Sequence, residues 1–346
     1  RQPQPFAVRE LGTFAEPWAM AVAPGTDLLF ITEKAGAVKI KDLVSGRLGT
    51  VTGLPKVDYG GQGGLGDIAF LPTEAAPTFM ARTVFLTWVE AGPNDTRGAV
   101  LGRGTIGCQV ADECEITGLD VIWRQTPKVT GRGHYSHRIA FSPDGKFLFV
   151  ASGERQKFTP AQDPASDLGK VIRIPIDAAG KPTGPAVRYS LGHRNILGLE
   201  FDAQGRLWDL EHGPAGGDEL NLVKQGANYG WPVVSDGDHY DGRKIPRHAT
   251  RPDFAAPAKS WNPVIAPGGM IFYAGDRFPA WKGQALIAAL GVQALVRVGI
   301  EGDKARELAR YPMERRMRAI AEGHDGAILM LEDGDDGRLL ELTPAR

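Results

Sequence analysis

The sequence LGLEFDAQGRLWDLE, residues 197–211, carries the pattern that decides the fold. A short apolar run is followed by a polar turn with glycine and then by a second apolar run. Two such runs around a turn of this composition are typical of a β-hairpin. The same phrase recurs as MAVAPGTDLLFITE at 20–33, RIAFSPDGKFLFVASGE at 138–154 and MRAIAEGHDGAILMLE at 317–332. The recurrence indicates a repeat architecture built from hairpins.

Two variants of the phrase complete the series. One is GLGDIAFLP at 64–72 with VFLTWVE at 84–90, and the other spans 268–290. The six units begin roughly 45 to 75 residues apart, which is typical of a β-propeller and too long a repeat for a β-sandwich. We therefore predict an all-β fold, a six-bladed β-propeller of four-stranded antiparallel blades, formed by residues 1–346 as a single domain.

Composition supports an all-β chain. It contains 45 glycines and 25 prolines, and long helical periodicity is hard to find. Each repeated unit is predicted to supply the two inner strands of a blade, and stretches such as 36–40 and 337–342 are predicted outer strands. A propeller also explains how one domain contains 346 residues.

Charge and hydropathy exclude several classes of protein. The formal net charge is −1, so no general attraction to nucleic acid or to a membrane surface is expected. No apolar run approaches the ~20 residues that span a bilayer. The chain opens at Arg1 without an initiator methionine, which we interpret as a trimmed start.

The two cysteines, Cys108 and Cys114, lie close together in the sequence GCQVADEC. They could form a disulfide that closes a small loop in an oxidising compartment. The alternatives are two free thiols or part of a metal site that lacks other ligands. With the trimmed start, a disulfide favours a periplasmic or secreted protein.

Polar residues gather just before the predicted inner strands. His134 precedes one strand and could act as a general base, because the pKa of histidine lies near neutrality. The alternative is a structural histidine bonded to a loop carbonyl, the role that we prefer for His137. Arg194 and Asn195 precede the next strand, where arginine could stabilise an oxyanion or bind a carboxylate. The alternative for Arg194 is a salt bridge between blades.

A corner rich in oxygen ligands follows in EHGPAGGDELN at 211–221. The carbonyls of Gly213 and Pro214 and the carboxylates of Asp218 and Glu219 are ligands of the type that Ca²⁺ prefers. The same residues also suit ordinary turn chemistry.

Two further stretches could bind a ligand. Arg316 and Arg318 alternate on a predicted strand, so their side chains should point to one side, toward a polyanion. The alternative is a solvated basic edge. The glycines around Gln62, at 61–64, would allow close approach of a ligand, or would form a tight turn between blades.

In this order, the motifs resemble those of the soluble quinoprotein glucose and aldose sugar dehydrogenases. The resemblance runs from Glu16 to Leu342 and rests on GQGGLGDIAF, HYSHRIAFSPDG, LGHRN, EHGPAGGDELN, NYGWP and RRMRAI. It implies a six-bladed propeller that binds pyrroloquinoline quinone (PQQ) and Ca²⁺. It also implies oxidation of an aldose at C1 to a lactone, with an external electron acceptor.

The resemblance assigns a role to each matching residue. His134 is implied as the base that removes the C1 hydroxyl proton, and Arg194 as the cation beside the quinone oxygen. Asn195, Gln62, Arg316 and Arg318 are implied as cofactor contacts, and Gln62 and Asp218 as substrate contacts. The carbonyls of Gly213 and Pro214 are implied as ligands of the catalytic Ca²⁺. Glu219 and the Tyr229 carbonyl are implied as ligands of a second, structural Ca²⁺.

The sequence departs from the family pattern at several positions, among them Ala319, where aspartate is usual, and Ser136 and His137 after the implied catalytic histidine; two further departures concern the cofactor. Gly291 stands where a lysine commonly holds a PQQ carboxylate, and Val264 stands near the place of a threonine that contacts the cofactor in some members. Both changes are expected to weaken cofactor affinity. They support an alternative hypothesis, a non-catalytic propeller that binds ligands. A calcium-dependent lactonase is a further alternative, against which the Gly213–Pro214 corner argues.

Overall fold

The computed structural model describes residues 3–110 and 112–346. Within these residues the chain forms 24 strands and no α-helix. Four short 3₁₀-helices lie in the connections, at Pro72–Glu74, Thr159–Gln162, His248–Thr250 and Pro279–Trp281. None of the described helices is long and apolar enough to cross a membrane.

The strands form four separate four-stranded sheets and one eight-stranded sheet. The eight-stranded sheet contains β2 (Pro17–Val22), β3 (Leu28–Glu33), β4 (Ala37–Asp42), β5 (Leu48–Thr52), β6 (Leu65–Phe70), β7 (Arg82–Ala91), β8 (Arg97–Val110) and β9 (Glu113–Arg124). The second contains β10 (Ser136–Phe141), β11 (Phe147–Ser152), β12 (Lys170–Pro175) and β13 (Val187–Leu191). The third contains β14 (Asn195–Phe201), β15 (Leu207–His212), β16 (Asp218–Leu222) and β17 (Lys259–Trp261).

The last two sheets complete the fold. One contains β18 (Pro267–Phe272), β19 (Ala285–Ala289), β20 (Ala294–Glu301) and β21 (Lys304–Pro312). The other contains β22 (Met317–Glu322), β23 (Ile328–Glu332) and β24 (Gly337–Pro344), and the N-terminal strand β1 (Phe6–Phe14) pairs with β24 as its outer strand. The first and last strands of the chain are therefore hydrogen-bonded neighbours.

The innermost strands form a closed ring. They pack in the order β2, β6, β10, β14, β18 and β22, and β22 packs against β2. The all-β prediction is confirmed, and all six repeated units contain the first two strands of a four-stranded unit. The prediction of separate sheets differs from the structure at one place. Outer strands β5 and β9 pair in parallel, at residues 50–52 and 113–115, and join two units into the eight-stranded sheet.

Alternating side chains of the inner strands pack against opposite neighbours. In β3, Leu29 and Ile31 are completely buried in a cluster with residues of β22, β23 and β24. Phe30, between them in sequence, is buried instead in a cluster with residues of β6, β7 and β8. The apolar runs in the sequence are therefore strands covered on both faces, which explains why they lack polar alternation.

A β-bulge lies near the start of every innermost strand. The register shifts between Pro17 and Ala19, and at the matching place in β6, β10, β14, β18 and β22. A bulge adds one residue to a strand and redirects its side chain. Trp18, Leu197 and Arg318, which lie within these shifts, line a cavity at this end of the ring.

The cysteines form a disulfide, Cys108–Cys114, across the ends of β8 and β9. The expectation of a disulfide is thereby confirmed. The bond closes a short loop with a sequence separation of 6, so its entropic stabilisation is small. We expect the Cys108→Ser/Cys114→Ser double variant to lose about 2 kcal/mol of unfolding free energy, measured by urea denaturation. Reduced wild-type protein should lose the same amount, and an unchanged urea midpoint in both would contradict this expectation.

Candidate active site

A cavity of about 320 Å³ opens at the end of the ring where the bulges lie. Its lining includes six of the predicted site residues: Gln62, His134, Arg194, Asn195, Arg316 and Arg318. These residues are spread over more than 250 positions of sequence, and the ring of inner strands brings them together. A larger cavity of about 600 Å³, between β1 and β21, contains none of the predicted site residues. We refer to the 320 Å³ cavity as the mouth.

His134 lies in a strained loop just before β10. Its φ is +50°, and Ser136 and His137 also have positive φ, a combination that costs energy and is held by surrounding contacts. The side-chain Nδ1 is hydrogen-bonded to a carboxylate oxygen of Glu154, and the backbone N–H donates to Gln62 Oε1 at 2.9 Å. Among the described residues, no hydrogen bond is made by Nε2. His134 is therefore oriented with one ring nitrogen available to a ligand.

The protonation states of this pair suit a general base. Burial lowers the pKa of His134 below its usual value, and the charges of Arg194 and Arg155 add to this effect, although Glu154 opposes it. Burial raises the pKa of Glu154, but its hydrogen bonds from His134 and from backbone donors outweigh burial and the net pKa is lowered. At neutral pH, Glu154 is then a carboxylate that accepts a hydrogen bond from Nδ1–H, and Nε2 has a free lone pair. The sequence prediction overlooked Glu154, although it lies two residues after β11, the strand that pairs with β10.

Arg194 lies beside His134, and its guanidinium group has only some of its hydrogen-bond donors paired. One terminal nitrogen donates to the His212 carbonyl at 3.3 Å, and the other to Tyr240 Oη at 3.3 Å. The guanidinium lies 5.1 Å from the centre of the Trp231 ring. Its Nε is buried and has no hydrogen-bond partner among the described residues. No carboxylate forms a salt bridge with Arg194 in the described chain, so its charge is available to an anion in the mouth.

A buried ionic cluster supports Arg194 from behind. The Arg194 backbone N–H donates to one oxygen of Glu211 at 3.0 Å, and His193 Nδ1 lies 2.8 Å from the other. Asp209 lies 3.2 Å from the same histidine nitrogen. Burial disfavours charge on His193, but Glu211 and Asp209 outweigh it and raise its pKa to about 10. The ligand atoms of the three side chains lie within 4.8 Å of one another, so the cluster could also hold a metal ion.

The sequence contains a signal for this cluster in the spacing of its two acids. Asp209 and Glu211 alternate on β15, so their side chains point to the same face of the sheet. Two carboxylates on one face of a buried strand require a cationic partner, and His193 is that partner.

The remaining cations of the mouth share few acidic partners. Arg318 Nε lies 3.0 Å from Asp333 and Arg316 Nε lies 3.5 Å from the same carboxylate. Lys34 also lines the mouth and pairs with Glu16 at 3.3 Å. The two guanidinium groups share one carboxylate, so one positive charge is not neutralised and is available to a ligand. Both side chains reach the same carboxylate, but Arg316 precedes β22 and Arg318 lies within its bulge, so the predicted strand alternation is not what brings them together.

The Gly213–Pro214 corner is formed by two buried residues. Among the described residues, neither carbonyl oxygen accepts a hydrogen bond, which is uncommon for buried backbone. The corner is fixed by Asp218, whose carboxylate accepts from the N–H groups of Gly213 at 2.7 Å, Ile265 at 2.9 Å and Ala266 at 2.8 Å. Asp218 is 1% exposed and lines neither the mouth nor the cavity beside it. It braces the corner, and its contact with substrate stays a prediction.

A family model described as Glucose / Sorbosone dehydrogenase matches residues 14–341. The chain belongs to this family. Its similarity to aldose sugar dehydrogenase YliI of Escherichia coli K12 is 32% identity over 344 residues, covering 95% of this chain and 90% of YliI. The resemblance inferred from the sequence motifs is thereby confirmed, and with it the prediction of an enzyme of the quinoprotein aldose dehydrogenase class.

Solved structures extend the comparison. A crystal structure of glucose dehydrogenase aligns with a TM-score of 0.87 at 35% identity and covers 98% of this chain and 100% of its own. The PQQ-bound form of an aldose sugar dehydrogenase from Streptomyces coelicolor aligns with a TM-score of 0.75 at 24% identity, over 99% of each chain. This second likeness concerns the fold.

The two residues predicted to hold a structural Ca²⁺, Glu219 and Tyr229, can be located in the structure, and their role stays a prediction. Glu219 accepts hydrogen bonds from His248 Nε2 at 2.8 Å and from Asn221 at 3.1 Å, within a buried polar network. Tyr229 stacks on His193 with ring centres 4.8 Å apart, and its hydroxyl donates to the Leu222 carbonyl. A structural Ca²⁺ at Glu219 and the Tyr229 carbonyl would have to share the carboxylate with His248.

Gly291, which departs from the family pattern, lies where the backbone packs closely. A Cβ added there would lie 2.9 Å from Ala266 Cβ and 3.0 Å from the Ile265 carbonyl oxygen. A lysine at this position would therefore require the neighbouring loop to move. Val264 is partly buried and does not line the mouth. In this member of the family, the cationic side chains that line the mouth are those of Lys34, Arg194, Arg316 and Arg318.

A second cavity of about 260 Å³ lies beside the mouth. The two cavities share His134, Arg194 and Tyr240. The wall of the second cavity is aromatic, with Phe158, Trp231 and His239 as neighbours whose ring centres lie 5.9–6.4 Å apart. We refer to it as the aromatic cavity. His134 thus stands where a cationic cavity meets an aromatic one.

Proposed function

We propose that this enzyme is a six-bladed β-propeller that oxidises the C1 hydroxyl of aldose sugars to lactones with PQQ and Ca²⁺. In this proposal each half of the eight-stranded sheet is one blade. The observation that carries it is His134, a neutral base held by Glu154, at the junction of a cationic and an aromatic cavity. A cationic cavity suits a polyanionic cofactor, and an aromatic one suits a neutral sugar.

The residues of the mouth suit PQQ. The cofactor carries three carboxylates and an ortho-quinone, and the mouth offers the partly unsatisfied cations of Arg194, Arg316 and Arg318. In this proposal Arg316 and Arg318 bind carboxylates, Arg194 stands at the quinone oxygen, and Gln62 and Asn195 complete the contacts. When bound, PQQ supplies the hydride acceptor that protein side chains lack.

The Gly213–Pro214 corner suits Ca²⁺. Two carbonyls of buried residues, without donors in the described chain, are oxygen ligands that a hard cation can complete. Pro214 also lines the aromatic cavity, so an ion held there would lie close to the site. We also propose that Glu219 and the Tyr229 carbonyl hold a structural Ca²⁺, and that Asp218 contributes indirectly by bracing the corner.

The chain's own residues perform three tasks in this proposal. His134 Nε2 accepts the proton of the C1 hydroxyl, and Glu154 stabilises the imidazolium that forms. Arg194 would hold a fixed positive charge against a quinone bound in the mouth and would stabilise negative charge there. The aromatic cavity covers the sugar on the side away from the mouth. Electrons leave to an external acceptor, and the disulfide supports a periplasmic or secreted location.

We expect Arg318→Ala to raise the dissociation constant for PQQ about tenfold, because a charge-assisted contact is lost. Asp333 keeps Arg316 as its partner, so the unfolding temperature should change little. The measurement is a titration of the cofactor-free protein with PQQ at fixed Ca²⁺. Arg306→Ala is the matched control, since Arg306 is exposed on outer strand β21. Equal affinities for the two variants would contradict this assignment of Arg318.

The proposed function is tested by turnover. Cofactor-free protein loaded with PQQ and Ca²⁺ should reduce an artificial electron acceptor when aldoses are added, and chelation of Ca²⁺ should abolish this activity. A non-catalytic propeller would give no sugar-dependent reduction with any aldose. Because Gly291 replaces a common cofactor contact, the PQQ concentration must be raised to saturation before that result is accepted.

A further inference from the structure

The ionic cluster of His193, Asp209 and Glu211 is enclosed within the third sheet. His193 and Asp209 are completely buried, and Glu211 is 2% exposed. Asp209 is paired with Asn221 across β15 and β16, and Glu211 is paired with Glu219. Directly opposed residues share a face of the sheet, so three carboxylates meet on one buried face. Buried charges of one sign need cations as partners.

The chain supplies too little positive charge for these acids. In the described part of the protein, the salt bridges of Asp209, Glu211 and Glu219 are made only with His193 and His248. Two histidines carry at most two positive charges, against three carboxylates. One negative charge is therefore left without a partner, and a cation from outside the chain would neutralise it.

Unpaired polar atoms occur at the same place. Asp209 Oδ2, Asn221 Oδ1 and His248 Nδ1 are buried and have no hydrogen-bond partner in the chain as described. Asp209 Oδ2 points into the cluster, since it lies 3.2 Å from His193 Nδ1. The Asn221 side chain lies against the same acid, because its Nδ2 donates to Asp209 Oδ1 at 3.3 Å. Buried polar atoms without partners are rare, and a bound ion would explain them.

The geometry of the cluster suits a small transition-metal ion. The ligand atoms of His193, Asp209 and Glu211 lie within 4.8 Å of one another. Ligands at the usual Zn²⁺ distances are separated by roughly 3.4 Å in a tetrahedral site, so little movement is needed. His193 Nε2 lies 2.7 Å from Ser190 Oγ, which would fix the ring with Nδ1 toward the ion. An imidazole ligand favours Zn²⁺ over Ca²⁺, which takes oxygen ligands.

We propose that the ionic cluster binds one Zn²⁺ through His193 Nδ1 and the carboxylates of Asp209 and Glu211. Asn221 Oδ1 completes a four-coordinate set, and the ion takes the place of the proton on Nδ1. Glu211 also accepts the backbone N–H of Arg194 at 3.0 Å, so the ion fixes the segment that leads into β14.

This site differs from the two Ca²⁺ sites of the proposed function. Neither His193 nor Asp209 is a ligand at the Gly213–Pro214 corner or in the site assigned to Glu219 and the Tyr229 carbonyl. The proposal rests on the buried cluster alone and does not depend on the proposed oxidation.

The first test measures metal content. Protein produced with Zn²⁺ and then exchanged into a buffer with excess Ca²⁺ should retain one Zn²⁺ per chain by elemental analysis. Asp209→Asn should retain less than a tenth of this, because a charged ligand is lost. Asp253→Asn is the matched control, since Asp253 is exposed and pairs with Arg251. Glu219→Gln should also retain Zn²⁺, and equal zinc in Asp209→Asn and the wild type would overturn the proposal.

The second test uses the wild type alone and decides the question even if Asp209→Asn fails to fold. Protein refolded from urea with Co²⁺ and excess Ca²⁺ should show the visible absorption bands of a four-coordinate Co²⁺ site. Its unfolding temperature should exceed that of protein refolded with Ca²⁺ alone by about 5 °C. Refolded protein with neither bound Co²⁺ nor these bands would refute the site and leave the cluster as a network of ion pairs. Neither test uses PQQ or sugar, so failure of the proposed oxidation would not affect the result.

Discussion

Replacing His134 with alanine is expected to lower kcat for aldose oxidation by about 10³-fold, because the proposed general-base catalysis at the C1 hydroxyl would be lost. Glu154 would keep its backbone donors from Gln156 and Phe158, so the loop that carries it should remain folded. The measurement is steady-state reduction of an artificial acceptor by glucose at saturating PQQ and Ca²⁺. Affinity for PQQ should change much less than kcat.

The control for this variant is His324→Ala, since His324 is exposed in the turn between β22 and β23, beyond the opposite end of β22 from Arg318, and does not line the mouth. Its kcat should equal that of the wild type. If His134→Ala kept more than a tenth of wild-type kcat with the cofactor bound, another group would have to be the base.

Replacing Glu154 with glutamine should have the second largest effect, a fall in kcat of about 10²-fold. The glutamine amide cannot stabilise an imidazolium at His134 as a carboxylate does. The pH dependence should change as well. Under the proposed function, activity requires neutral His134, whose pKa lies below its usual value, so wild-type activity should be lost as pH falls through that lowered pKa. The Glu154 carboxylate raises the pKa of His134 and so opposes the effect of burial. Its replacement should lower that pKa further and move the acid limb of the pH profile to still lower pH.

The pH profile separates positioning from mere structural support. Glu154 also holds the Phe158 loop, so a loss of kcat alone would be ambiguous. Glu301→Gln is the matched control, because Glu301 is exposed on β20 and pairs with Arg306. It should leave both kcat and the acid limb unchanged. An acid limb that stays in place in Glu154→Gln would show that the carboxylate does not act through His134.

Local patterns predicted much of the fold because each hairpin is short in sequence. The turn of residues 202–205 and its flanking apolar runs are enough to indicate β14 and β15. The pairing of β5 with β9 could not be predicted in this way. It joins residues 50–52 to 113–115, and an outer strand with modest burial gives no local signal for its neighbour. The pairing of β1 with β24 joins the two ends of the chain and is invisible to local patterns for the same reason.

Only some of the site residues could be predicted, again because the sequence shows local patterns and not long-range contacts. His134 and Arg194 stand out because they precede apolar strands, and the motifs of the family mark them. Glu154 was passed over because an acid after a strand usually faces solvent, whereas here it is completely buried. The bulges were also missed. They break the simple alternation of β22, so the orientation of Arg318 depends on a register shift that no periodicity shows.

Under the proposed function, a sugar at the His134 junction would reduce PQQ held in the mouth. The most direct measurement is the absorbance of PQQ bound to the protein with Ca²⁺, recorded without oxygen or acceptor while glucose is added. We expect the spectrum of the oxidised cofactor to change to that of the reduced form in proportion to the protein present, and about 10³-fold more slowly in His134→Ala. Saturable PQQ binding with a spectrum that no aldose changes would contradict the account.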